Sequence, residues 1–455
     1  MSEHIVVIGG GFAGASSASA LAEAGYSVTL LEQKPILGGR AYSYKDGVTK
    51  SDIDNGQHLF LGCYRDTRLF LRRLDVEARL RFLPSLKIPF VKPGGRPMPL
   101  RCPSLPFSAG MLWGVAAFSA LSLADRWALL RGLSSFALFK GRDLSSLTVS
   151  QWLDHLRQTP GARRAFWTPL CLATLNERPE KACAAALAVV LRQGFMGSSS
   201  DRALGYSIIG LSKLWPVELS AYLKRQEGVV APRQTVTGFR VEKNRVTHAL
   251  LENGESVQAQ AFVSAVSLPA FLKICPKPLQ GRYRELKEVA YSPIASINLW
   301  FSRSPFDGPL VGLLGTDIQW AFNRFHLWKD LGGAEPGNLA LVLSSARDYA
   351  ALSKEDLVRL ALKDLRRCFP SFKEEPRHAT VVWEKQATPS PDPLFWSRRP
   401  PVATALENFF LAGDWVDSGL PPTIEAACRS GHMAARSARE FLEKARPTVE
   451  TQRAA

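Results

Sequence analysis

Read for its apolar and polar positions, the chain opens on a continuous apolar run, Ile5 to Ile8, that ends at a run of glycines. So short a run between turn residues predicts a buried strand. Gly9-Gly10-Gly11-Phe12-Ala13-Gly14 follows, then an alanine-rich helix and a second apolar strand, Ser27 to Leu31, ending in Glu32. The far end is built in the same way. "FFLAGDW" (Phe409 to Trp415) reads as a buried strand with Asp414 at its tip. Pro421 and Pro422 then block any helix start before about Thr423. Both places aim a strand at a helix N-terminus, whose first-turn N–H groups have no intrahelical partner and suit an anion. Between the ends, Val229 to Pro269 alternates apolar and polar residues around a turn at Glu252-Asn253-Gly254-Glu255. That predicts a β-meander returning to the sheet at Ala261 to Val266.

Leu105 to Ala124 departs from these patterns: it is twenty residues without a charge. By length it could span a bilayer. Pro106, Ser108, Gly110, Gly114, Ser119 and Ser122 leave it only moderately apolar. Three readings stand: an interfacial amphipathic or lid region, which is favoured, buried core helices, and a true span. Nearby Arg126, Arg131, Lys140 and Arg142 suit an anionic surface.

Composition narrows the classes. A chain of 455 residues exceeds what one core usually serves, so two domains are expected. Its seven cysteines are scattered with no C-x-x-C, and its seven histidines form no H-x-x-x-H pair. Neither a disulfide framework nor a metal site is expected, and a reducing cytoplasm fits. The first strand begins at His4, so no signal peptide is expected. The net charge of +16 suits either nucleic acid or the inner leaflet of a membrane. No helix-turn-helix, zinc-finger or RNP pattern occurs, so no nucleic-acid partner is expected.

The spacing Gly9-x-Gly11-x-x-Gly14 supplies a tight turn, a close backbone approach to a pyrophosphate and a close helix–strand contact. Glu32, at the end of the second strand, is placed to accept from a ribose diol. Strand, glycines, helix, strand and acid in that order predict dinucleotide binding. Directly afterwards comes Gly38-Gly39-Arg40, which resembles the extended fingerprint of the FAD-dependent amine oxidase and phytoene desaturase superfamily. The resemblance implies FAD, with Arg40 on its pyrophosphate. It also implies that Asp414, after Gly413, binds a ribityl or phosphate-side hydroxyl, and that the helix start at Thr423-Ile424 faces the isoalloxazine. Val236 sits where the superfamily holds the adenine by backbone, an ordinary strand valine being the alternative. The fold class expected is α/β: a Rossmann-like FAD-binding domain (1–75, 220–290 and 401–445) with a discontinuous α+β substrate domain (76–219 and 291–400).

"DIDNGQHLFLGCYRDT" (Asp52 to Thr67) is a polar turn leading into an apolar run. Asn, Gln and His offer donors and acceptors with little charge, which suits a dry site that must bind a hydroxyl. Together with "LCLATLNERPEKACA", "GYSIIGLSKLWPVELSAYL" and "GDWVDSGLPPTIEAACRSG", this string closely resembles the squalene-associated FAD-dependent desaturases, or hydroxysqualene dehydroxylases. The resemblance runs over nearly the whole chain. It implies that Asn55, Gly56 and Gln57 pass beside the flavin and that the substrate is a lipophilic C30 isoprenoid. Hydroxysqualene would be reduced to squalene by an enzyme held peripherally on the inner face of the membrane. Docking on synthases of the same pathway is left open. Hydroxide is a poor leaving group, so an acid is expected near the flavin. His58 is the first candidate and Glu425 the second. For His58, a neutral ring that only hydrogen-bonds flavin or backbone is the alternative. Fold alone does not set direction or substrate. The rival reading is an oxidative desaturase or an amine-oxidase-like dehydrogenase, although the last block shows no obvious aromatic cage.

Overall fold

The computed structural model describes residues 3–105, 109–138, 144–195, 197–328 and 335–446. Pro106, Ser108, Lys140 and Arg142 lie outside them. The first apolar run is the strand His4–Ile8, central in a five-stranded parallel sheet. In order, the sheet holds Val229–Pro232, Ser27–Glu32, His4–Ile8, Ala261–Ser264 and Phe409–Leu411. Ile8 pairs with Leu31 on one side and Ser264 on the other. The two ends of the chain therefore share one sheet.

The alanine-rich helix, Phe12–Glu23, is buried nearly all round. It packs along the closing helix Ile424–Ala445, whose buried stripe includes Cys428, Gly431, Ala435, Ala438 and Leu442. Small side chains let the two axes come close. A Cβ on Gly431 would stand 2.2 Å from Ser16 Oγ and 2.3 Å from the Ala13 carbonyl oxygen. The middle piece forms the expected meander, Val236–Glu242, Arg245–Leu251 and Ser256–Gln258, all antiparallel, before returning to the parallel sheet.

A second, seven-stranded sheet runs in the order His378–Pro389, Tyr291–Trp300, Asn338–Leu343, Trp320–Asn323, Leu310–Leu313, Phe90–Lys92, Arg96–Pro97. Side chains alternate between its faces. Ala295, Ile297, Leu299, Leu339 and Leu341 join a core with the helix Lys354–Cys368. Trp320, Phe322, Ala340 and Val342, on the other face, join a core built largely from helices between Ala109 and Phe195. The parallel sheet has its own core, drawn from both chain ends and the middle piece.

The uncharged stretch resolves into the helix Ala109–Ala117 and the start of a second helix, Leu123–Leu138. The first lies tight on the strand Leu100–Cys102: a Cβ on Gly114 would stand 2.5 Å from Cys102 Sγ. Its outer side leaves Trp113 64% exposed, while Leu123 and Trp127 on the second are 74% and 76% exposed. Among the described residues no helix is long and apolar enough to cross a membrane.

Candidate active site

The two glycine turns meet. Gly9, at φ +104°, donates to the Leu31 carbonyl, and Gly38 N donates to the Gly10 carbonyl at 2.9 Å. Gly39 has φ +64°, and a Cβ there would lie 3.0 Å from Gly11 Cα, so only glycine lets the turns touch. Gly14 serves the close helix–strand contact: its Cβ would stand 1.8 Å from the Gly9 carbonyl oxygen. The helix Phe12–Glu23 has Gly11 as N-cap with no side chain capping it, so its first-turn N–H groups carry no side-chain acceptor. Glu32 accepts from Gly10 N at 2.6 Å and from Lys34 N at 2.7 Å. Those bonds fix its carboxylate while leaving lone pairs for a further donor.

A cavity of about 890 Å³ runs from these turns into the second sheet. Gly9, Gly11, Glu32, Gly38, Gly39, Arg40, Asn55, Gly56, Gln57, His58, Val236, Gly413, Asp414, Thr423 and Ile424 all line it. Gly14 sits behind the wall. The far end is apolar: Leu172, Leu175, Ile294, Trp320, Phe322 and Val342.

Arg40 and Asp414, far apart in sequence, form an ion pair, Nη2 to Oδ1 at 2.6 Å, and Arg40 Nη1 donates to the Ala387 carbonyl. Burial pulls the Arg40 pKa down, but Asp414 outweighs it and the net shift is upward. Asn55 uses its amide on the same loop, donating to the Arg40 carbonyl at 2.8 Å and accepting from Tyr42 N at 3.3 Å. Gln57 differs. Both amide atoms are buried with no hydrogen-bond partner among the described residues.

His58 Nδ1 lies 2.8 Å from the Gly56 carbonyl oxygen. A carbonyl can only accept, so Nδ1 carries the proton and, in the neutral ring, Nε2 carries the lone pair. Burial lowers the His58 pKa; the Gly56 carbonyl opposes this and the nearby Arg40 charge adds to it. The downward shift favours an uncharged ring, held to backbone through Nδ1.

Glu425, the second candidate acid, is not among the residues that line the cavity. Ile424 and Ala427, three residues apart, line the cavity, and the helical rotation turns Glu425 away from it. Glu425 is buried and accepts from Asp66 N (2.9 Å), Thr67 N (2.9 Å) and Thr67 Oγ1 (2.7 Å). It caps the helix Arg65–Arg73, whose N-cap Tyr64 supplies no side-chain bond. Burial raises its pKa, against the pull of those three donors.

Sequence reasoning missed the apolar wall and Asn176. Asn176 ends the helix Thr168–Leu175 in the left-handed region (φ 49°) and lines the cavity. Its amide donates to the Ser292 carbonyl (2.9 Å) and Thr388 Oγ1 (3.0 Å), and accepts from Ser345 N (2.8 Å). The available signal was an asparagine directly after a helical apolar run, a common left-handed helix end.

The residues fit a flavin dinucleotide. Uncapped first-turn amides and paired glycine turns suit a pyrophosphate, Glu32 suits a ribose, and the unpartnered Gln57 amide suits a ring edge with donors and acceptors. The profile of the flavin containing amine oxidoreductases matches residues 12–438. The chain belongs to that family and is an FAD-dependent oxidoreductase. It is 27% identical over 434 residues to hydroxysqualene dehydroxylase of Zymomonas mobilis, covering 94% of this chain and 97% of that protein. It is 25% identical over 480 residues to zeta-carotene desaturase of Synechocystis sp., covering 95% and 96%. An oxidoreductase of Methanosarcina mazei shares the fold at a TM-score of 0.72 and 16% identity, covering 95% of this chain and 99% of that one.

Proposed function

We propose that this protein reductively dehydroxylates hydroxysqualene, a C30 allylic alcohol, to squalene. The observation that carries the reading is the two-part cavity, a polar glycine-lined end continuous with an apolar wall of Leu172, Leu175, Ile294, Trp320, Phe322 and Val342. Full-length relatives named hydroxysqualene dehydroxylase support it. FAD bound there in its reduced form would supply a hydride; dehydroxylation breaks the C–O bond, needs a hydride at carbon and a proton at oxygen, and releases water. The allylic position spreads the developing charge, and the apolar wall keeps bulk water from it. His58, tied through Nδ1 to Gly56, presents Nε2 as an acceptor that holds and orients the substrate hydroxyl. Arg40, Asp414 and the glycine turns hold the cofactor.

On this reading the chain divides into a cofactor domain (1–75, 220–290 and 401–445) and a substrate domain (76–219 and 291–400). The exposed Trp113, Leu123 and Trp127 lie in the latter, beside Arg126 and Arg131. Aromatic and apolar side chains over basic ones fit peripheral docking on the anionic inner leaflet, from which a lipophilic substrate can be drawn.

The carotene desaturase relatives support a second reading, oxidative desaturation of another isoprenoid. Anaerobic incubation of dithionite-reduced protein with hydroxysqualene separates the two. Squalene in the extract, with reoxidised flavin, supports dehydroxylation. Flavin that stays reduced there, while the oxidised protein is reduced by a polyene hydrocarbon, supports desaturation instead.

A further inference from the structure

The cavity face of the seven-stranded sheet changes character along its strands. Ser296 pairs with Val342, Asn298 with Ala340 and Trp300 with Asn338, while Val342 and Ala340 pair with Trp320 and Phe322. Paired residues share a face, so one face runs from the apolar wall (Ile294, Trp320, Phe322, Val342) into a polar patch of Ser296, Asn298 and Asn338, joined through hydrogen bonds by Arg324 at the start of the helix Arg324–Trp328. All four polar residues are at most 1% exposed. The hairpin Ser43–Lys45/Asp52–Asp54 lies close enough to this patch for Asp54 and Tyr44 to act on the Arg324 charge, and a Cβ on Gly56, just beyond the hairpin, would lie 3.7 Å from Ser296 Oγ.

The patch is under-bonded. Arg324 donates to Asn298 Oδ1 at 2.6 Å and to Asn338 Oδ1 at 3.5 Å, and among the described residues no carboxylate lies within ion-pair distance of it. Asp54, fully buried, accepts through Oδ1 from Ser43 Oγ (2.7 Å) and Leu211 N (3.1 Å). Among the described residues, Asp54 Oδ2, Ser296 Oγ, Arg324 Nε, Asn338 Nδ2 and the Gln57 amide have no hydrogen-bond partner. Buried polar groups almost always find partners, commonly bound water when none is at hand. The unmet set here contains an acceptor, donors and a hydroxyl that is both, complementary to bridging water. Gln57 belongs both to this set and to the cavity wall.

We propose that this polar compartment binds water and carries a proton from the Asp54 carboxyl, past Gln57, to the hydroxyl leaving in the cavity. The inference rests on the dehydroxylation reading and adds the proton source it requires. Asp54 gives a proton to the nearest water, the last water of the chain gives one to the departing oxygen, and a water molecule is released. The Asp54 carboxylate left behind faces the Arg324 guanidinium and recovers a proton from solvent. Burial raises the Asp54 pKa to about 6, against the pull of Arg324 and of its two hydrogen bonds, so the group is poised near neutrality. The other charged or titratable groups nearby are Tyr44 on the hairpin and Asp52, the latter paired to Lys45 and Lys213.

The test uses FAD-loaded protein. Infrared spectra across the acid-to-neutral range should show a protonated carboxyl band that titrates near pH 6 and is missing in Asp54→Asn. In single-turnover reoxidation by hydroxysqualene, Asp54→Asn should keep its yellow spectrum and slow by roughly 10²–10⁴-fold, the range of general acid catalysis. Ser296→Val, which fills the patch with methyl groups, should slow the same step while leaving the Asp54 band in place. It also serves as the second variant should Asp54→Asn fail to fold. Wild-type rates and an unchanged pH profile in both variants would overturn the inference. So would a carboxyl band that never titrates, whichever substrate the enzyme takes. If the wild type ignores hydroxysqualene, the dehydroxylation reading falls, and the infrared titration still decides whether Asp54 exchanges a proton.

Discussion

Replacing Glu425 separates a structural carboxylate from a catalytic one. Glu425→Ala removes the acceptor for two backbone N–H groups and one hydroxyl at the start of the helix Arg65–Arg73. Losing an N-terminal cap costs about 1–2 kcal/mol, and hydrogen bonds to a charged acceptor contribute about 1.5–3 kcal/mol each. The burial that raises the Glu425 pKa offsets part of this, because the variant no longer buries that carboxylate. The net expectation is a loss of about 2–4 kcal/mol. Glu425→Gln keeps one carbonyl oxygen with two lone pairs and should lose only about 1 kcal/mol. Urea unfolding followed by tryptophan fluorescence measures both changes, and single-turnover flavin reoxidation measures the chemistry. Both variants should reoxidise within a few-fold of wild type. A Glu425→Gln protein as stable as wild type but slowed by about 10²-fold or more would refute the capping role and restore Glu425 as an acid.

Asp54 makes a pH-dependent prediction. Its folded pKa of about 6 lies above the ordinary aspartate value of 3.8, so the folded state holds the proton more tightly. Its contribution to stability is therefore present at low pH and is lost as pH rises through this window, by about 3 kcal/mol in total. Urea titrations from about pH 4 to about pH 6, roughly the two pKa values, should show that slope in wild type and lack it in Asp54→Asn. Arg40→Ala removes the charge paired with Asp414 beside the glycine turns and should lower FAD occupancy, read from the ratio of flavin to protein absorbance. Full occupancy would undo that assignment. Trp113→Ser with Trp127→Ser should shift the protein from the vesicle pellet to the supernatant when anionic liposomes are sedimented, and unchanged binding would remove this patch from the docking surface.

The sequence by itself determined both ends of the chain. The turn Gly9 to Gly14, the acid Glu32, the second turn at Gly38-Gly39 and the helix start after Pro421-Pro422 are local devices. Each is set by the φ freedom or rigidity of its own residues and by partners a few positions away, so the pattern is legible without a fold. Thr423 does cap the closing helix, accepting from Ala426 N at 3.1 Å. What only the tertiary structure decided are pairings between distant segments. The 100° step along a helix (about 3.6 residues per turn) sends Ile424 to the cavity and its neighbour Glu425 to a helix that begins at Arg65. The apolar wall needs strands near 294, 320 and 342 laid side by side in one register, and only the packing of elements brings the Arg324 charge within reach of Asp54. Alternation along a strand tells which residues share a face. What that face meets depends on the packing of elements hundreds of residues apart, and so the role of Asp54 could not be read from its neighbours in the sequence.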